Sequence, residues 1–169
     1  IMMIALYFGT EKERGLLRRL DTTPVPRSTQ LLAGGFAQII GSSIQVIIIM
    51  IMLVLLGVKT APDCNWALAF LNALIMAFPC IGIGLLIAAF VRSGSEAGGL
   101  SWIAILPLQF FGGVFFDVGD NIFSKLIPTY YGTRAMRNIM IYGAGFGDVW
   151  LDMVINVLFG IGFIVIGLI

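Results

Sequence analysis

The chain has 169 residues, of which 59% are hydrophobic and only 11% charged, and its net charge is +1. A soluble domain carries roughly a quarter charged residues, so there is too little polar surface here to coat a core and lipid must be the solvent for most of the chain. The net charge carries no message about acidic partners, and no nucleic-acid partner is expected; the absence of His removes the commonest metal ligand and the commonest general base together.

Residues 1–8 are apolar but far shorter than the ~20 residues a hydrocarbon core requires. They lack the basic start and small-residue cleavage site of a signal peptide. They read as the end of a span, and the chain as a piece of a longer membrane protein with at least one further span upstream. Residues 11–27, EKERGLLRRLDTTPVPR, then form a charged, helix-competent island holding half of the basic residues: Lys12, Arg14, Arg18, Arg19 and Arg27. One helix of three turns is predicted. Thr10 is its expected N-cap, with Glu13 at capping-box spacing. Glu11 and Glu13 would sit at the positive end of the dipole, and Arg18 and Arg19 near the negative end. Leu16, Leu17 and Leu20 supply an apolar edge, and Thr22-Thr23-Pro24 ends the helix. From the residues alone it is either a docking helix for a soluble partner or an interfacial loop.

Spans are predicted at 29–57, 65–91, 97–116 and 149–169. The runs are continuous rather than alternating and too long for barrel strands, which makes the fold class all-α, a polytopic transmembrane helical bundle. Cys64 and Cys80, placed on one helix, would lie roughly 24 Å apart and could not pair. Between the last two spans, 117–147 is broken by Pro128, Gly132 and Gly143. Tyr130, Tyr131 and Tyr142 suit the headgroup level. Two short helices dipping into the outer leaflet are expected; a full extra span would carry Arg134 and Arg137 in its middle. Lys and Arg in short loops place 9–27, 92–96 and the C-terminus in the cytoplasm.

Polar residues inside the spans are few. Gly34, Gln38, Ser42 and Gln45 form one stripe, flanked by the small-residue series Ala33, Ala37 and Gly41. Glutamines facing lipid are expensive, so the stripe reads as a lining of a translocation path or a dimer seam, with plain interhelical hydrogen bonding as the alternative. Gln109 and Phe110 join that candidate path. In the last span Asp148, Asp152, Asn156 and Gly160 recur at i+4; capping of the span at its outer mouth is preferred over a proton or cation relay. Asn72, Ser101 and Gln109 read as packing contacts. No nucleophile–base pair or metal-spaced cluster is present in the pattern.

The island E-x-E-R-G-L-L-R-R-L-x-x-T-P-V-P-R, followed at once by a long span, resembles the cytoplasmic coupling helix of type-two ATP-binding-cassette transporter permeases. Glu11, Glu13, Gly15, Leu16, Leu17, Leu20, Thr23, Pro24, Val25 and Arg27 match that pattern. Two further stretches are similar: L-P-L-Q-F-F-G-G-V-F-F at 106–116, with Gly112 where the family often has Ser and Asp117 where it often has Pro, and I-P-x-x-Y-x-x-x-A-M-R at 127–137. The resemblance implies a permease subunit with a coupling helix at 11–24 and an extracellular re-entrant segment at 117–147. It implies ATPase coupling through Glu11, Glu13, Arg14, Leu17, Arg18, Leu20 and Pro24. It also implies a separate nucleotide-binding ATPase holding ATP and Mg, no cofactor on this chain, and a second permease subunit as homo- or heterodimer. Gly57-Val58-Lys59-Thr60 lacks the spacing of a phosphate-binding loop, so this chain is expected to be non-catalytic. The expected function is ATP-driven export of an amphipathic, drug-like or lipid-linked substrate. The alternatives are an ion-gradient-driven secondary transporter and a non-transporting membrane scaffold.

Overall fold

A long uncharged run in lipid has no water for its backbone amides, so they must bond within the segment, and the helix is the solution. In a computed structural model, which describes residues 1–13, 27–115 and 122–168, every regular element among the described residues is helical. The elements are α1 (Met2–Glu13), α2 (Arg27–Leu55), α3 (Trp66–Phe90), α4 (Gly94–Phe111), α5 (Ile122–Lys125), α6 (Pro128–Tyr142) and α7 (Phe146–Leu168).

Local chemistry sets the boundaries. Asn65 caps α3 by accepting from the Leu68 amide at 3.1 Å, and Ser93 caps α4 by accepting from the Glu96 amide at 3.3 Å. Glu96 in turn accepts from the Arg92 amide at 2.9 Å. At the other end of α2, Gly57 takes φ +64 and the Val58 amide reaches back to the Leu53 carbonyl, a Schellman closure that favours glycine. Gly113, at φ +72, closes α4 in the same manner.

α3 is the hub, packed against α7, α6, α1, α2 and α4. One apolar cluster joins it to α6 and α7 through Leu68, Ala69, Ala135, Ile139, Val149 and Met153. A second joins it to α1 through Ile4, Phe8, Ile81, Leu85 and Ala88, and a third adds Ala97 of α4. Along the α3–α7 seam the backbones approach closely. A Cβ at Gly82 would lie 2.6 Å from the Phe163 Cβ, and one at Gly160 would lie 2.8 Å from the Phe78 Cβ.

Four expected boundaries or placements differ. α2, α3 and α7 are long and apolar enough to cross a membrane; α4 is not among them, and it stops at Phe111 rather than at 116 because Gly112 and Gly113 turn the chain. Residues 11–13 continue α1 rather than start a new helix, so Thr10 lies inside a helix and is not an N-cap. Cys64 precedes the Asn65 cap and shares no helix with Cys80; both are free. Asp152 does not cap α7: it lies two turns in, buried and ion-paired.

Candidate functional site

Two polar constellations stand at opposite ends of the bundle. The first gathers the end of α1, the α3–α4 turn and the end of α7, where Gly167 lies against Leu85. Lys12 extends from the last turn of α1 and its Nζ donates to three carbonyls at the end of α3: Ala88 at 2.6 Å, Ala89 at 3.0 Å and Val91 at 3.3 Å. Partial burial there lowers its pKa. The next residue, Glu13, accepts from the Gly94 amide at 3.1 Å, in the first turn of α4. Small residues permit the approach: a Cβ at Gly9 would lie 2.9 Å from the Ser93 carbonyl oxygen. Glu11 accepts from the Tyr7 hydroxyl one turn back. Both acidic residues therefore lie on a helix already running from Met2 and not in the first turn expected for them. Arg14, Leu17, Arg18, Leu20 and Pro24 lie outside the described residues.

The second constellation lies under α6. Arg134 makes a two-pronged ion pair with Asp152 of α7: Nε donates to Oδ2 at 3.0 Å, and the terminal nitrogen donates to Oδ1. The Asp152 side chain is 3% exposed and that of Arg134 38%. Tyr130 and Tyr131 place their rings 5.5 and 5.8 Å from the guanidinium carbon. One turn deeper, the Asn72 amide donates to the Gly132 carbonyl at 3.0 Å. Asn156, with its amide turned to face its partners, donates to the Pro128 carbonyl at 2.7 Å and accepts from the Gly132 amide at 2.9 Å. Thr129 donates to the Leu108 carbonyl at 2.7 Å, and Arg137 to the Gly113 carbonyl at 3.3 Å. All these bonds tie α6, which carries Arg134 and Arg137, to three neighbouring elements. Asn72, Asp152 and Asn156 were visible as isolated polar residues in apolar runs. Their partners were not, because hydropathy says nothing about which neighbour answers a buried polar group.

The candidate path residues are not brought together. Gln38 and Ser42 are half-buried, with the Gln38 amide donating to the Ser42 hydroxyl at 3.4 Å, while Gln45 is exposed on the outer face of α2. Gln109 is half-buried on α4, and Phe110 is exposed and packs on Phe115 with ring centroids 5.4 Å apart. The small series also faces outward: Ala33, Ala37 and Gly41 are exposed, and nothing lies within 4 Å of a Cβ built at Gly41.

An all-helical bundle that has, among the described residues, three helices of membrane-spanning length and apolarity defines a polytopic membrane domain. A family model described as "ABC-2 family transporter protein" matches residues 1–169, and the chain belongs to that family. It is also similar to "ABC transporter G family member 20" of Dictyostelium discoideum, 26% identical over 162 residues. That alignment takes in 92% of this chain and 22% of the relative, so the chain spans about a fifth of the length of that protein. No solved structure matches.

Proposed function

We propose that this chain is part of the transmembrane subunit of an ATP-driven exporter, non-catalytic itself and coupled to a separate ATPase that holds ATP and Mg. The observation that carries the reading is the family match along the whole chain. The geometry supports it further. Residues on either side of 14–26, the 92–96 turn and the end of α7 share one end of the bundle, as a cytoplasmic face requires. Coupling then runs through the island, with Arg14, Leu17, Arg18, Leu20 and Pro24 facing the ATPase. Gln38, Ser42 and Gln45 line the seam or path against a second permease subunit. The substrate is amphipathic, drug-like or lipid-linked.

Re-entry of 117–147 from the outer side belongs to the same proposal. The first turn of α6 lies against Asn156, ten residues into α7 and therefore about 15 Å along it. A secondary transporter would call for charge at mid-membrane; the Arg134–Asp152 pair lies only about 9 Å along α7 and is fully matched. The test is co-purification of the full-length protein from detergent-solubilised host membranes, comparing the parent with an Arg14→Glu/Arg18→Glu variant. A phosphate-binding-loop ATPase retained by the parent and lost from the variant is the expected result. Its absence from both would discard the exporter reading in favour of a gradient-driven transporter or a scaffold.

A further inference from the structure

Neighbouring residues of opposite charge at the end of α1 meet two helix ends of opposite polarity. The last carbonyls of α3 have no intrahelical donors and carry a partial negative charge, and Lys12 takes three carbonyls at that end. The first amides of α4 have no intrahelical acceptors and carry a partial positive charge; Ser93 answers one through Glu96, and Glu13 answers the one at Gly94. These bonds span 76 to 81 residues of sequence. They fasten α1 to the turn joining α3 and α4 by its backbone, which side-chain repacking cannot loosen. The apolar contacts of Ala5, Ile87, Val91 and Ala97 lie directly beneath.

We propose that Lys12 and Glu13 are positioning residues that bracket the α3–α4 turn, so that a displacement of 14–26 carries α1, α3 and α4 together instead of bending the chain at residue 13. The proposal rests on the reading that 14–26 engages an ATPase. In it, Glu13 belongs to the permease's own frame rather than to the docking surface for the ATPase. The bracket gives the island a second route into the membrane: forward through α2, which follows it, and backward through the α3–α4 turn.

The test is amide hydrogen exchange on the full-length transporter with its ATPase, nucleotide-free and trapped with ATP and vanadate, read over peptides spanning 88–96. In Glu13→Ala, exchange at Gly94 should rise about tenfold, the loss of one hydrogen bond to a charged acceptor. Glu13→Gln keeps an acceptor oxygen and should restore protection. The difference between the two nucleotide states over 88–96 should be present in the parent and in Lys12→Arg. It should vanish in Lys12→Met and Glu13→Ala while the ATPase still co-purifies, an outcome a merely structural contact does not produce. The two substitutions act on different helices, so either folded variant decides. Unchanged Gly94 exchange in Glu13→Ala, or a nucleotide-dependent difference that persists in Lys12→Met, overturns the bracket. A parent that carries no ATPase defeats the functional reading and the coupling role with it, and the Gly94 result then still decides the contact itself.

Discussion

α2 and α3 are both long, apolar and free of charge along their membrane-spanning windows, yet 44% of the α3 window is buried and none of the α2 window. The difference lies in what interrupts the apolar run. α3 carries Asn72 facing α6, Gly82 facing α7 and Gly84 facing α1, so each neighbour finds either a hydrogen bond or a flat surface. α2 leans on the bundle through Gly34, Ile39 and Met50, while Ala33, Ala37, Gly41 and Gln45 point outward. Small and polar residues facing lipid are poorly placed, since an unanswered amide in hydrocarbon costs several kcal/mol. The same residue types that bind α3 to its own chain are, on α2, turned toward the proposed second subunit.

Substitutions sharpen that contrast. The largest loss is expected for Gly160→Leu, which drives a side chain into Phe78 and Pro79 of α3. About 3 kcal/mol of destabilisation should appear as a lower midpoint in thermal unfolding of the detergent-solubilised protein. An unchanged midpoint would mean that the α3–α7 seam is looser than described. Asp152→Ala comes next, leaving Arg134 without its carboxylate. A fully buried pair would lose roughly 3–5 kcal/mol; with Arg134 38% exposed, about 2 kcal/mol is expected, partly recovered in Arg134→Leu/Asp152→Leu. Recovery is the informative result, since it separates an unpaired charge from a lost shape.

Smaller effects follow at the single hydrogen bonds. Asn72→Leu removes the donor to Gly132 and should cost about 1 kcal/mol in the same unfolding measurement. Gln45→Leu and Gly41→Leu on α2 should leave the unfolding midpoint of the isolated subunit within about 0.5 kcal/mol of the parent. Chemical cross-linking in membranes should nonetheless show less dimer for both. A large stability loss at Gly41, or unaltered cross-linking, breaks the contrast between the two helices.

Much of this architecture is legible in the sequence, and the reasons are physical. Long apolar runs with little or no charge leave the backbone no option but a helix, so α2, α3 and α7 fall within three residues of where the runs place them. Pro128 at the first position of α6 and Gly143 just after its end mark that element, whereas Gly132, expected to break the segment, lies inside the helix against Met76 and Asn156. The start expected at Thr10 was misplaced because the sequence offers two equivalent starts. Thr10 with Glu13 has capping-box spacing, but a helix already running from Met2 satisfies the Thr10 backbone and needs no cap there. The ion pair escaped because Arg134 and Asp152 are 18 residues apart on helices whose packing no local pattern reveals. Asp152 viewed alone on its i+4 ladder looks like a capping residue. Only the approach of α6 supplies the countercharge that lets it lie two turns inside.

The far end of α2 is clipped to the bundle. The Ala61 amide donates to the Met140 carbonyl at 2.9 Å, which fastens the turn after α2 to the last turn of α6. A 29-residue helix is about 43 Å long, so it behaves as a lever whose fulcrum is that clip. A rotation of roughly 10° about the clip would carry the opposite end of α2 sideways by about 7 Å, most of the roughly 8–10 Å that separates packed helix axes. Small angular play at the clipped end becomes a displacement of several ångströms at the other, checked only where Gly34, Ile39 and Met50 lean on the bundle.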